Sequence, residues 1–271
     1  MCYMDTHAHV FSHKLKFIDS ARYTPEYTVT AEDYLRELDR YGFTHGVLIQ
    51  PSFLGEDNRY MLDAIAAHPE RLKGVAVIDK QTELHTLQAM NEQGIVGIRL
   101  NLIGKPCPDL TEAGWQACLE RMEQMHWQIE LHATPDYLIQ LLPILGRYDI
   151  DVVIDHFGRF DPIKGVNSPD YQQLLEMLSP AQHWVKVSAY YRLGARSGIQ
   201  NAKEALALLL ERGMKTQLIW GSDWPHTQHD GMSFETALNT FKEIVADDEL
   251  VKQILTDNNA RLFGFKTPVR L

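Results

Sequence analysis

The stretch 128–156, QIELHATPDYLIQLLPILGRYDIDVVIDH, decides the fold. It opens on a short apolar run, Gln128 to His132, and breaks at Thr134-Pro135. A segment with helical periodicity follows, and the chain returns to a second apolar run, Asp151 to Asp155. Thr134 before Pro135 is a cap-then-proline start, in which the ring pre-sets φ at a position whose N–H needs no partner. Strand, helix and strand in this succession place the two strands parallel with the helix laid over them.

The same rhythm extends in both directions. Further strand candidates are Tyr3 to His7, Gly46 to Gln50, Gly74 to Ile78, Gly97 to Asn101, Trp184 to Ser188 and Gln217 to Gly221. Ser168-Pro169 repeats the cap-then-proline start, and Thr30 with Asp33 three residues on, then Gly42, delimits an earlier helix. Asp248 to Phe263 reads as a closing helix. Eight units of about 30 residues are the number that closes a barrel. The expected fold is therefore an α/β single-domain (β/α)8 TIM barrel over 1–271, with an open doubly wound sheet as the alternative. No repeat beyond this rhythm, low-complexity tract or Pro/Gly/Ser linker divides the chain.

The totals narrow the partners. The 271 residues are 45% hydrophobic and 23% charged, their mean hydropathy is −0.26, and no apolar run approaches the roughly 20 residues of a membrane span. A formal charge of −10 argues against a phosphate-backbone footprint and hence against nucleic acid. Cys2, Cys107 and Cys118 lack metal-type spacing and are odd in number, so they read as free thiols in a reducing compartment. Met1 to Val10 holds two histidines and an aspartate where a leader would need an apolar core. A cytoplasmic protein is expected, and the sequence leaves room for a homodimer.

Polar residues gather where the predicted strands end. His7 and His9 lie at the end of the first, and period-two alternation sends both side chains to one side. Asn101, His132, Asp155 with His156, Ser188 and Asp223 follow at the ends of later strands. One such residue merely caps a strand or satisfies loop backbone. Agreement among strand ends points instead to the C-terminal mouth, where barrel active sites lie. Arg99, Lys105, Arg159 and Arg192 are placed near that mouth, and guanidinium forks fit carboxylates bidentately. Ser52 and Tyr190 or Tyr191 could add hydroxyl contacts, and His226 could orient Asp223 or touch substrate. His45, His68, His85, His126 and His183 sit at helix ends or before strands and take the structural reading.

Asp5-Thr6-His7-Ala8-His9, Ile154-Asp155-His156-Phe157-Gly158-Arg159 and Trp220-Gly221-Ser222-Asp223-Trp224-Pro225-His226 resemble the amidohydrolase superfamily in order, spacing and strand number. Gln50-Pro51-Ser52, Gly97-Ile98-Arg99-Leu100-Asn101 and Tyr191-Arg192 are similar to its branch of 2-pyrone-4,6-dicarboxylate lactonase and sugar-acid lactonases. The resemblance implies hydrolysis of a small anionic lactone. Asp223 would be the general base, and His7, His9 and His156 would polarise the carbonyl. The branch contains metal-free and metal-using members, so the expectation is either no cofactor or one divalent ion. His7, His9, His132 and Asp223 would supply ligands suited to Zn²⁺ or Mn²⁺. Binuclear members place a lysine or glutamate where Asn101 stands, which argues against two ions. His132 is open between metal ligand and pocket residue. A metal-dependent decarboxylase and a lactone isomerase are the alternative activities.

Overall fold

The structure, a computed structural model, describes residues 2–265. Eight parallel strands run in sequence order: β1 Tyr3–Ala8, β2 Phe43–Ile49, β3 Leu72–Ala76, β4 Ile95–Asn101, β5 Gln128–His132, β6 Val152–Ile154, β7 His183–Lys186 and β8 Leu218–Ile219. The seam from β8 back to β1 is joined by backbone bonds from Thr6 to Trp220 at 3.2 Å, Asp223 to His7 at 2.9 Å and His9 to Trp224 at 2.8 Å. The expected (β/α)8 barrel is the observed fold, and the open sheet is excluded. Met1 and 266–271 of the expected 1–271 domain lie outside the described residues.

Helices α1 Ala31–Arg40, α2 Arg59–Ala67, α3 Leu84–Glu92, α4 Ala113–Gln124, α5 Pro135–Leu145, α6 Pro169–Met177, α7 Gly198–Glu211 and α8 Phe234–Val245 cover the sheet. Thr30 and Asp33 form a reciprocal capping box on α1. Pro135 and Pro169 open α5 and α6 as expected, although neither Thr134 nor Ser168 caps with its side chain. The closing segment is three pieces rather than one helix. Short helices α9 Asp248–Gln253 and α10 Asn259–Phe263 flank a π-helical turn at Ile254–Asn258. That turn aims Asn258 at the carbonyls of Lys215 and Leu218, and next to it Asn259 reaches the carbonyl of Met4. The barrel floor is tied shut by these amides.

β5 keeps its predicted bounds, whereas β2 and β3 begin upstream of Gly46 and Gly74. Both glycines sit inside strands, not at turns. A Cβ at Gly46 would stand 2.4 Å from the Tyr34 hydroxyl, and one at Gly74 would stand 2.6 Å from Ile65 Cδ1. They are glycine because α1 and α2 pack directly on the sheet there. β6 and β8 shrink to three and two residues, because the chain leaves extended geometry early to build the site.

The lower barrel is filled by Met4, Val47, Ile49, Val75, Val153, Trp184 and Ile219. A separate cluster of Phe11, Val29, Phe53 and Leu54 anchors the β1–α1 loop beside the mouth, with Tyr23 packed on it. The seam is tightest at Gly221, where a Cβ would lie 2.4 Å from His7 Cβ and 2.5 Å from His7 N. Gly221→Ala should lower unfolding stability by about 1–3 kcal/mol through overpacking, read as a shifted urea midpoint. An unchanged midpoint would show that β1 and β8 can part without cost.

Candidate active site

Four buried charges form the floor beneath the mouth. Arg99 donates from Nε and Nη2 to Asp155 Oδ2 at 2.9 and 2.8 Å. Lys186 donates to Glu130 Oε2 at 2.9 Å and stands 3.2 Å from Asp155 Oδ1. Glu130, Asp155 and Lys186 are fully buried and Arg99 is nearly so. Burial raises the Asp155 carboxyl, but Lys186 and Arg99 outweigh it and hold the group well below its ordinary range. Glu130 has the same lysine but no arginine fork, and burial, with the charge of Asp155 adding to it, pushes it up to about 7.

Above the floor lies a row of imidazoles. Ring centroids are 5.0 Å apart for His9 and His7, 5.1 Å for His7 and His156, and 5.1 Å for His156 and His132. Burial pushes His7 and His132 well below their ordinary range and His156 down to about 3. These three rings are therefore neutral near pH 7. His9 Nδ1 lies 2.7 Å from the Ile49 carbonyl and donates to it, since a carbonyl only accepts. His156 Nδ1 contacts Ser188 Oγ at 3.0 Å, while its Nε2 and both nitrogens of His132 have no partner among the described residues.

Asp223 faces this row. Its Oδ1 is 3.6 Å from His7 Nε2 and 3.7 Å from His9 Nε2. Its Oδ2 accepts from Tyr191 Oη at 2.5 Å and from Arg192 Nε and Nη2 at 3.0 and 2.7 Å. Burial raises the carboxyl, but Arg192 with the surrounding histidines holds it well below its ordinary range. Asp223, His156, Phe157, Arg159 and His226 all adopt left-handed φ between 50° and 64°. Such backbone costs of order 1–3 kcal/mol each in non-glycine residues and clusters at functional sites. Here it turns side chains from β6 and β8 into the mouth.

The cavity over these groups is walled by Ser52, Arg99, Asn101, His132, His156, Arg159, Arg192 and Asp223. Most residues expected at the site are therefore assembled in one place. Three are placed differently from a simple substrate-contact reading. Lys105 is exposed and walls an adjoining cleft, which shares Ser52, Arg99 and Asn101 with the cavity. Tyr191 spends its hydroxyl on Asp223. His226 is buried beside Asp223 and donates its backbone N–H to the Asp223 carbonyl at 2.7 Å.

Sequence reading missed Lys186 and Glu130, and also Arg22 and Tyr23, which line the cavity from the β1–α1 loop. Arg22 and Arg159 meet no carboxylate among the described residues. Burial lowers Arg159 to about 10, with Arg192 and Arg22 adding like-charge repulsion. A signal for the first pair was present: Glu130 and Lys186 are charges inside predicted strands, two residues before His132 and Ser188 in the alternation that sends i and i+2 to one side.

A divalent ion was one expectation, and donor atoms of His7, His9 and Asp223 do lie within 4.8 Å of one another. His132 is outside that group. His9 fits, because its Nδ1–H is spent on a carbonyl, the outer partner a metal-bound imidazole usually has, and its Nε2 faces the cavity. His7 does not fit, because a lysine ammonium, 3.1 Å away, stands where an acceptor for Nδ1–H belongs. The second oxygen of Asp223 is already committed to Arg192 and Tyr191. The donor set does not suit a mononuclear centre.

Comparison with known proteins agrees with this architecture. The crystal structure of a probable 2-pyrone-4,6-dicarboxylic acid hydrolase from Acinetobacter baumannii, with citric acid bound, superposes with a TM-score of 0.96 at 51% identity, covering 98% of this chain and 100% of that one. The 4-sulfomuconolactone hydrolase of Hydrogenophaga intermedia is 29% identical over 96% of this chain and 88% of its own length. The 2-pyrone-4,6-dicarboxylate hydrolase of Comamonas testosteroni is 29% identical over 96% and 89%. The family model for amidohydrolases matches residues 4–265. The chain belongs to the amidohydrolase family.

Proposed function

We propose that this protein hydrolyses the ring ester of a small lactone carrying two negative groups, with Asp223 as general base. The observation that carries the reading is the division of labour on Asp223: Oδ2 is clamped by Arg192 and Tyr191, and Oδ1 is left facing His7 and His9. A carboxylate held ionised, with one oxygen open to a cavity, is suited to take a proton from water. The names of similar proteins, 4-sulfomuconolactone hydrolase and 2-pyrone-4,6-dicarboxylate hydrolase, support the same class.

In the proposed reaction the water oxygen bonds to the lactone carbonyl carbon while its proton passes to Asp223 Oδ1. The carbonyl oxygen becomes an oxyanion, stabilised by imidazole N–H donors. Collapse breaks the bond from carbon to ring oxygen, and the ring oxygen takes the proton back from Asp223. The new carboxylic acid then loses its proton to solvent. Each well-placed donor to the oxyanion is worth about 3 kcal/mol. No step passes through a metal ion.

The anionic class follows from charge. Asp155 neutralises Arg99 and Asp223 neutralises Arg192, which leaves Arg159 and Arg22 as cavity cations without a carboxylate partner among the described residues. A decarboxylase of the kind that depends on a metal is disfavoured by Lys186 beside His7. An isomerase would use the same groups with a substrate hydroxyl in place of water, and it would release no acid.

The deciding experiment is an acid-release assay over dicarboxylate and neutral sugar lactones, with and without chelator. Acid release from the dicarboxylate that survives chelation is expected, and silence across the panel would sink the reading. Asp223→Asn should reduce kcat by about 10²–10⁴-fold while far-UV circular dichroism is retained. Arg159→Met should raise KM about 10-fold or more for a dicarboxylate lactone and little for a neutral one; equal changes would remove that anion contact.

A pH profile tests the clamp on the base. Asp223 works only when deprotonated, and Arg192 keeps its pKa low. Arg192→Met should therefore raise that pKa and move the acid limb of kcat/KM to higher pH. A limb that stays in place would mean that another group controls it.

A further inference from the structure

We infer that Lys186 is a positioning residue that sets the tautomer of His7, making it a hydrogen-bond donor into the cavity and not a metal ligand. The inference deepens the proposed reading of His7 as a carbonyl-polarising group and rests on it for its catalytic consequence.

The argument is a count of protons. Lys186 is fully buried, donates to Glu130 at 2.9 Å and stands 3.2 Å from Asp155. It lies between two carboxyl groups, and an ammonium in that place has three donors and no acceptor. Its remaining contact is His7 Nδ1 at 3.1 Å. That contact is a hydrogen bond only if Nδ1 accepts. The other candidate partner for Nδ1 is Asp155 Oδ1, at 3.7 Å, beyond hydrogen-bond distance. An imidazole with a lone pair on Nδ1 has its one proton on Nε2.

Nε2 has no hydrogen-bond partner among the described residues and lies 3.6 Å from Asp223 Oδ1. The donor therefore points to the side on which water and carbonyl would meet. His9 has a different partner behind it, with Nδ1–H on Ile49 O and Nε2 turned toward Asp223. The two neighbouring imidazoles of one His-x-His pair are thus oriented by different groups behind them, a lysine for His7 and a backbone carbonyl for His9.

The test is ¹⁵N NMR of the histidine side chains in the full-length protein, with the His7 signals assigned through His7→Gln. A protonated, pyrrole-type Nε2 and a pyridine-type Nδ1 are expected, and the reverse pattern would overturn the inference. This readout needs no substrate, so it stands whether or not the lactonase reading survives. Lys186→Met alone strands a buried carboxylate and risks the fold. The companion variant is Lys186→Met with Glu130→Gln, which removes both charges. In it the His7 Nε2 signal should move toward pyridine type, and kcat should fall about 100-fold with KM little changed. A folded double variant with wild-type kcat and unaltered His7 shifts would refute the role of Lys186. If the double variant does not fold, the wild-type shifts alone decide.

Discussion

Everything at the mouth of this barrel depends on the four charges buried beneath it. Arg99, Lys186 and Glu130 come from β4, β7 and β5 and Asp155 from the residue after β6, and burial would disfavour each charge without its opposite beside it. Strand register brings them together, since Arg99 stands opposite Glu130 and Asn101 opposite His132. The network is a poor device for stability, because well-packed apolar side chains in place of a buried ion pair are often as stable or more so. The next layer down uses that apolar solution, with Val47, Val75, Val153 and Ile219. Charges replace valines only where the imidazole row begins, which ties the network to the chemistry of those rings.

The second constraint is backbone strain at the strand ends. A regular strand can send only alternate side chains into the barrel. Asp155 and His156 are adjacent, yet both serve the site: Asp155 in the floor and His156 in the imidazole row. The left-handed turn that starts at His156, φ 51°, makes this compatible. The same device at Asp223 turns its carboxylate toward His7 and His9 immediately after the short β8. The shortness of β6 and β8 is therefore a consequence of what their ends must hold.

This explains what could be read from sequence. Strand identity and helix starts were legible, because apolar runs and Thr-Pro or Ser-Pro dipeptides are local signals. Strand starts at β2 and β3 were misjudged, because Gly46 and Gly74 look like turns and their packing against Tyr34 and Ile65 is a tertiary fact. The histidines and Asp223 were legible through their place at strand ends. Lys186 and Glu130 were not, since a charge inside a strand gives no hint of the partner that comes from elsewhere in the barrel. Arg22 and Tyr23 escaped for a different reason: the β1–α1 loop has no period, and its place over the mouth comes from the Phe11 and Phe53 cluster.

On the proposed reading, the arginine that clamps the base also weakens it. Arg192 binds Asp223 through two nitrogens and lowers its affinity for a proton, which favours the ionised carboxylate but makes it draw weakly on water. A weak base needs a strongly polarised carbonyl, which puts the greater part of rate acceleration on the donors facing the developing oxyanion. Arg159 and Arg22 add positive field until an anion arrives to neutralise it. A dianionic lactone would then both bind to those cations and relieve the field on Asp223, while a neutral lactone would do neither. On the proposed reading, charge selectivity is a property of the catalytic groups themselves as well as of the walls around them.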